Sequence, residues 1–529
     1  MRFDRPLTCC VLPWLAAVSA CHASEPAPTI GFHTLDDQRL SGETTVMGKE
    51  SSFSDLSVLV TVDTTGKAIA AQSVDNFQKL DPAPALAAVR AWTFRPQTFD
   101  GKPVNVVGRV SISYLKQAIP PNAAIAFPRA DPSDFEITLD RGACLGNCPD
   151  YRVTVHGDGL VEFESGGDHF KGTAAQVHLE YNGNNVLMPG RHTAHIDPMA
   201  AAGLLDRFRA AHFWGLRKEY FYGATDNSTQ MLAVRVGRAS KTVTDYIGTM
   251  AKMPQAVRDL EEAVDAVAGS ARWVNGNLQT LDGLDEAHFD YRSRSAAMLA
   301  AAAASKLFGY RPPEGIETLL AKLVERGVPL DARIGDQALG TILVRATAAR
   351  GNEALFDTLA EHGALAAAPR AALTEALNEI GCSASIARAL VKAGADPHTP
   401  GESGTGLTAL RGSAATCEGH PDKQLELAQT LIALGVPLEA RDHLGWTALM
   451  GCDSPELARL LLAHGANPNA RDKDGTTPLL STDDDRVALI LLRSGADPRA
   501  KDVNGTVRAQ AVKGRMPATI AWLDAHGIP

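Results

Sequence analysis

Residues 441–500 repeat themselves at a fixed spacing, and this repetition constrains the fold more than any other feature of the chain. The segment 445–449 (Gly-Trp-Thr-Ala-Leu) returns 30 positions later as 475–479 (Gly-Thr-Thr-Pro-Leu). The Leu-rich segment 461–470 returns at the same offset as 491–500. A unit of about 30 residues cannot bury its own apolar face. Such units therefore stack side by side into a solenoid.

The motifs inside each unit resemble the ankyrin repeat. Thr477-Pro478-Leu479 opens a unit and Gly495-Ala496-Asp497 ends one. In that family the first motif begins a short helix, a second helix follows, and the ending leads into the next turn. The resemblance implies an all-α solenoid over residues 281–529 with a long concave, protein-binding surface. Glycines at expected helix ends predict about seven units, the early ones divergent: Gly327, Gly363, Gly394, Gly435, Gly465, Gly495 and Gly527.

The length and charge of the chain limit its number of domains and the class of partner it can bind. A chain of 529 residues is too long for one hydrophobic core. We therefore predict a multidomain protein, with two α+β domains ahead of the solenoid. The formal net charge is −10 and the pI is about 5.9, and the sequence contains no cluster of Lys and Arg. A nucleic-acid partner is not expected, because phosphate binding needs such clusters.

The first 20 residues have the layout of a secretory signal peptide. Two arginines precede a largely apolar segment (7–20) that is too short to cross a membrane comfortably. Val18-Ser19-Ala20-Cys21 resembles the lipobox of bacterial lipoproteins, which implies that Cys21 is lipid-modified. The alternative is ordinary cleavage, which releases a soluble protein. We expect a protein of the periplasm whose membrane contact is this lipid, followed by an extended tether over residues 21–39.

Residues 40–115 are predicted to form an α+β domain in the order strand, strand, helix, strand. The segments 88–96 (Ala-Val-Arg-Ala-Trp-Thr-Phe-Arg-Pro) and 101–104 (Gly-Lys-Pro-Val) resemble the C-terminal domain of TonB. The resemblance implies the fold and a contact in which a partner segment adds to a sheet edge. Energy transduction is not expected, because the chain lacks the uncleaved membrane helix and long Pro-rich spacer that it requires.

An Ala- and Pro-rich linker (116–132) leads to a second α+β domain over residues 133–275. The motif Cys144-Leu145-Gly146-Asn147-Cys148-Pro149 precedes a hairpin signal at 156–159. This arrangement resembles a family of unknown function found in bacterial envelope proteins. In an oxidising compartment the two cysteines can be bridged if the segment turns, so we expect a structural disulfide between Cys144 and Cys148. The alternative is a redox-active thiol pair.

Three further cysteines lie near the tips between the helices of successive repeats. We expect a disulfide between Cys417 and Cys452 or between Cys382 and Cys417, since an inserted loop around residues 417–421 can reach over a neighbouring tip. The alternative is that these thiols are free and buried.

His192 and His195, together with Asp197, form the strongest candidate for a metal site. Asp197, however, is expected to cap a helix, and the spacing matches no metalloenzyme motif. The sequence also contains no phosphate-binding loop and no Gly-x-Ser-x-Gly nucleophile motif. We therefore predict a non-catalytic protein without a metal or a cofactor.

The sequence predicts a scaffold, or an inhibitor or immunity-like protein, that binds an unidentified envelope protein through its ankyrin surface. The candidate contact residues lie at repeat tips: His443, Trp446, Asp483, Asp484 and Asp485. The three aspartates are also expected to cap the helix that follows. Two alternatives stay open. One is an envelope enzyme with a thiol or metal site in the middle domain, and the other is a transport-associated component that uses the TonB-like domain.

Overall fold

The computed structural model describes residues 27–529 except 49–53, 75, 77–78, 117, 130–132, 145–147, 166–184, 225, 309–311, 402–403, 406–416 and 418–419. The predicted signal peptide and Cys21 lie outside the described residues. Within them, buried apolar side chains form three hydrophobic clusters, which belong to an amino-terminal α+β part, a middle α+β part and a helical carboxy-terminal part.

The amino-terminal domain is a mixed sheet covered by one helix. Its sheet has the order β1-β8-β4-β5, with β1 parallel and β4 antiparallel to the long strand β8. Trp92 and Phe94 are buried in its core. Its elements are β1 Thr29–Thr34, β2 Arg39–Ser41, β3 Thr45–Gly48, β4 Ser54–Val62, β5 Ala68–Val74, α1 Ala83–Arg90, β6 Thr93–Phe94, β7 Gln97–Phe99 and β8 Lys102–Lys116.

The predicted tether over residues 21–39 is wrong in its second half. Strand β1 occupies Thr29–Thr34 and pairs with β8, so the folded domain begins well before residue 40. Ile30 and Phe32 are buried in the domain core, and the burial of these apolar side chains stabilises the pairing of β1 with the sheet.

The middle domain is a seven-stranded sheet of order β12-β11-β10-β9-β14-β15-β13, antiparallel except for the last pair. The linker is attached to it, because the Ile119 amide donates to the Lys252 carbonyl at 2.8 Å and Phe127 packs against Trp214. The elements are β9 Phe135–Arg141, β10 Tyr151–His156, β11 Leu160–Ser165, β12 Gly190–His195, α2 Pro198–Ala210, β13 Glu219–Phe221, β14 Gln230–Val236, β15 Ala239–Tyr246, α3 Gln255–Ala268 and α4 Ala271–Val274.

The carboxy-terminal part consists of paired helices joined by turns. All seven glycines expected at helix ends have positive φ, between 63° and 113°, which confirms their role in ending helices. The helices are α5 Leu278–Glu286, α6 Arg294–Ser305, α7 Ile316–Glu325, α8 Leu339–Arg350, α9 Glu353–Glu361, α10 Ala364–Ala367, α11 Arg370–Asn378, α12 Ala384–Ala393, α13 Pro421–Ala433, α14 Pro455–Ala463, α15 Pro478–Ser481, α16 Asp485–Arg493, α17 Val507–Lys513 and α18 Pro517–Ala525.

Short strand pairs complete two of the turns in this part: β16 Arg333–Ile334 with β17 Gln337–Ala338, and β18 Lys501–Asp502 with β19 Gly505–Thr506.

The helical part contacts both of the other domains. The middle domain is in direct contact with its first helices, where the Lys306 ammonium donates to the Asn185 carbonyl at 3.0 Å. At the other end, α16 and α18 pack against β1. Among the described helices, none has the length and apolar character needed to cross a membrane.

Candidate functional site: the groove of the last repeats

The turns of the last repeats are held by aspartates that bond to their own backbone. The Asp442 carboxylate accepts the amides of Leu444 and Trp446, both at 2.9 Å. Asp472 repeats this pattern 30 residues later. Asx bonds of this kind fix a tight turn without help from distant residues. Each turn therefore projects as a defined tip from the stack.

Arginines tie each tip to the next one. The Arg441 guanidinium donates to the Gly445 carbonyl of its own turn and to the Arg471 carbonyl of the following turn, both at 2.7 Å. Arg471 makes the corresponding bonds to Gly475 at 2.8 Å and to Lys501 at 3.4 Å. These bonds set the spacing of three consecutive tips, so that the surface between the tips and the short inner helices is a continuous groove.

The groove encloses a cavity of about 570 Å³. Its walls come from the three tips on one side and from α15 and α17 on the other. The residues that line it are Leu444, Trp446, Asp472, Asp474, Thr476, Leu480, Asp502, Asn504, Gly505, Thr506, Ala509, Gln510 and Lys513. A concave surface that crosses consecutive repeats is the surface that repeat proteins use for binding.

Trp446 has a structural and a surface role at once. Its indole N–H donates to the Asp472 carboxylate at 3.0 Å, which joins two tips. The side chain is only half-buried, and one part of it lines the cavity. The sequence prediction that Trp446 lies at a tip therefore agrees with its place in the groove. His443 is exposed on the same tip, where its carbonyl accepts from Lys473 at 3.2 Å.

The groove has an acidic wall. Three carboxylates, those of Asp472, Asp474 and Asp502, line it together with one ammonium group, that of Lys513. Burial raises the pKa of Asp502, but hydrogen bonds from the Asn504 amide and the Thr476 hydroxyl outweigh it and hold the pKa below its usual range. This carboxylate is therefore ionised at neutral pH.

The prediction of an exposed acidic tip at residues 483–485 is wrong for two of its three members. Asp484 is 4% exposed and Asp485 is 0% exposed, whereas Asp483 is half-buried. Asp484 caps α16 by accepting the Arg486 and Val487 amides, which confirms the expected capping. Asp485 is instead enclosed by the backbone of β1, in the amino-terminal domain, and of α18. Neither Asp484 nor Asp485 is accessible to a partner.

The disulfides of the described chain join Cys144 to Cys148 and Cys382 to Cys417. The predicted alternative between Cys417 and Cys452 is wrong. Cys452 is a free thiol, 1% exposed, and its Sγ contacts the Ser454 carbonyl at 3.4 Å. Burial raises its pKa to about 12. The thiol points into the core of its repeat, so Cys417 reaches only the preceding repeat, where Cys382 lies just before α12.

The histidine pair has other contacts. His192 stacks on Trp273 and bonds to the Met188 carbonyl at 3.1 Å. His195 is exposed on the same strand, and Asp197 caps α2 by accepting the Met199 amide. In the part of the chain that the structure describes, no three His, Cys, Asp or Glu side chains are grouped to hold a metal ion.

A second cavity, of about 340 Å³, lies beside Cys148 in the middle domain. Its floor is a closed polar network around Asp265. This carboxylate accepts from Arg141 at 2.8 Å and 3.0 Å, from the Tyr151 hydroxyl at 2.7 Å and from the Ser270 hydroxyl at 2.5 Å. Burial raises the pKa of Tyr151 above its usual value. The groups of this floor bond to one another, so the network stabilises the packing of α3 on the sheet.

Comparison with known protein families agrees with two of the three parts of the chain. Residues 444–473 match the ankyrin repeat family, and residues 135–268 match a domain of unknown function, DUF6438. The ankyrin match covers the tip with Trp446 and the first carboxylate of the groove. A search of curated proteins found no match. The ankyrin repeat points to protein binding as the general role of this region.

Proposed function

We propose that the chain is an exported, non-catalytic protein of the cell envelope that binds another protein in the groove of its last repeats. The observation that carries this proposal is the groove itself, about 570 Å³ in volume, with Trp446 and three carboxylates in its walls. The ankyrin match supports protein binding. Export and lipid attachment at Cys21 are supported by the sequence pattern of residues 1–21.

The groove favours a partner segment with a basic and an apolar side chain. An incoming Lys or Arg side chain would meet the carboxylates of Asp472, Asp474 and Asp502. Leu444 is 50% exposed at the rim, and with the part of the Trp446 ring that lines the cavity it offers apolar contact. Tryptophan and other aromatic anchors dominate the binding energy of many interfaces. A cationic group beside an indole face also gains cation–π attraction.

Two substitutions test the groove. Trp446→Ala removes the aromatic wall, and Asp474→Lys reverses one charge at an exposed position of the same groove. We expect each to weaken partner binding about tenfold or more, which corresponds to about 1.4 kcal/mol. The measurement is a cross-linked pull-down from the native envelope fraction with full-length bait, followed by titration of the recovered protein.

The matched control is Glu361→Lys, which makes the same charge change at an exposed helix position in an earlier repeat. It is expected to bind like the wild type. Asp474→Lys separates loss of binding from loss of folding, because its side chain is exposed whereas Trp446 also holds two tips together. Wild-type binding by both groove variants would exclude the groove as the partner site.

Lipid attachment is tested separately at Cys21. The Cys21→Ala variant is expected to be exported but to move from the membrane fraction to the soluble periplasmic fraction, because acyl chains supply the membrane affinity. Cell fractionation with an antibody against the repeats measures this change. An unchanged distribution would contradict the lipid anchor and leave the groove proposal untouched.

A further inference from the structure

The amino-terminal domain is joined to the last two repeats through one buried carboxylate. Asp485, the first residue of α16, accepts the Gly31 amide of β1 at 2.9 Å. It also accepts the Ala518 and Thr519 amides of α18, at 2.9 Å and 2.7 Å, and the Thr519 hydroxyl at 2.6 Å. We call these four bonds, with the residues that make them, the Asp485 interface.

The geometry requires a carboxylate. One oxygen of Asp485 accepts both Gly31 and Ala518, and so bridges two domains, while the other accepts both groups of Thr519. The side chain is 0% exposed. A buried charge is tolerated only when donors surround it. An amide side chain would offer one acceptor oxygen in place of two and would leave buried N–H groups without partners, each costing about 1–3 kcal/mol.

Apolar packing accompanies these bonds. Leu489 of α16 belongs to the hydrophobic core of the amino-terminal domain, and Ala518 and Trp522 of α18 pack against the same core. The backbones approach closely at Gly31, where an added Cβ would lie 2.5 Å from the Arg515 carbonyl oxygen and 3.3 Å from Pro517. A side chain at this position therefore cannot fit without separation of the two surfaces.

A second, exposed contact fixes the orientation. The turn after β7 places Asp100 in ion pairs with Arg459 of α14, at 3.1 Å, and with Arg493 of α16. Phe99 lies near both guanidinium groups, at 5.9 Å and 5.4 Å from its ring centre. The hydrogen bond from Arg493 holds the pKa of Asp100 below its usual value. Exposed pairs of this kind contribute little energy, so the buried Asp485 interface is the main attachment.

We infer that the amino-terminal domain docks across the second helices of the last three repeats, α14, α16 and α18, and that Asp485 holds it there. Because the same buried contacts join the first domain to α16 and α18, the first domain and the last two repeats open together. The Asp485 interface also covers β1, so a partner strand cannot add to that edge of the sheet. This inference is independent of the proposed partner.

Two variants approach the interface from opposite sides. Asp485→Asn removes the bridging charge on the side of the repeats. Gly31→Val, on the side of the amino-terminal domain, places a side chain against Arg515 and Pro517 and leaves the Asp485 side chain in the sequence. The control is Asp497→Asn, at an exposed turn where the carboxylate accepts the Arg499 amide of its own segment at 2.9 Å. All three are measured as full-length protein.

The measurement is hydrogen–deuterium exchange of peptides covering residues 29–34 and 517–525. We expect both interface variants to lose protection about tenfold or more in both peptides, because one opening event exposes both sides. The control should match the wild type. If Gly31→Val exposes residues 29–34 while residues 517–525 keep full protection, the amino-terminal domain and the repeats open independently and the inference is wrong. Unchanged exchange in both interface variants would overturn it equally.

Discussion

Removal of the disulfide between Cys382 and Cys417 is expected to lower the free energy of unfolding of the surrounding repeats by about 4 kcal/mol. The two cysteines are separated by 35 positions. A crosslink across a loop of this length removes many conformations from the unfolded chain, so its loss favours unfolding. The bond also ties the start of α12 to the segment before α13, across the longest interval between helix-ending glycines. We expect these two repeats to become the least stable part of the stack.

The double variant Cys382→Ser/Cys417→Ser tests this expectation. Urea unfolding of the full-length protein is followed by pulsed hydrogen exchange in α12 and α13. The Cys144→Ser/Cys148→Ser variant is the matched control, since it removes a disulfide from the middle domain and should leave the repeat transition unchanged. A loss below about 1 kcal/mol, or peptide mapping that links Cys417 to Cys452, would contradict the pairing.

Raising the pH from about 5 to 8 is expected to destabilise the middle domain through Glu261. This side chain is 5% exposed on α3 and lies near Asp245, which is 2% exposed on β15. Burial, followed by repulsion from Asp245, raises the pKa of Glu261 to about 8, against the opposing effect of Arg141 and Arg258. The folded domain therefore holds this carboxyl in its neutral form at neutral pH.

The direction of the pH effect follows from proton binding. Between the ordinary Glu pKa of 4.5 and the folded value of about 8, the folded state binds more protons than the unfolded chain. The stabilisation linked to this proton is fully present below pH 4.5 and is lost as the pH rises towards 8. Across the steepest part of this window the loss approaches about 1.4 kcal/mol for each pH unit.

The Glu261→Gln variant is expected to remove this pH dependence, because an amide does not ionise. Glu262→Gln, a change at the adjacent exposed position, is the control and should retain the wild-type slope. The free energy of unfolding of the full-length protein is measured by urea titration at several pH values between 5 and 8. At each of these values the hydrogen-exchange protection of α3 is also compared, with the labelling step itself always at one fixed pH. If the slope persists in Glu261→Gln, another group is responsible for it.

The repeat architecture and the place of Trp446 at a repeat tip could be predicted from sequence because they depend on local chemistry. Each helix-ending glycine needs its left-handed conformation where it stands, and each turn aspartate bonds within its own turn. Trp446 was found in this way, from its place in a repeated motif. The opposite wall, with Gln510 and Lys513, was not found, because it depends on how consecutive repeats stack.

The aspartates at 483–485 show where sequence reasoning fails. Three acidic residues before an apolar run indicate a helix start, and Asp484 confirms it. The same pattern suggests an exposed tip, yet Asp485 is buried because β1, 454 positions earlier in the chain, packs over it. No local pattern encodes a contact of that separation. Cys452 is a similar case, since the direction of its thiol is set by packing inside the repeat.

The repeat period, the helix ends and the order of the three parts can be predicted from the sequence, because each follows from residues close together in the chain. The pairing of Cys417, the burial of Asp485 and the position of the first domain could not be predicted in this way. Those outcomes depend on surfaces that meet only after folding. The last repeats form the groove, and strand β1 of the amino-terminal domain packs on helices α16 and α18 of the same repeats.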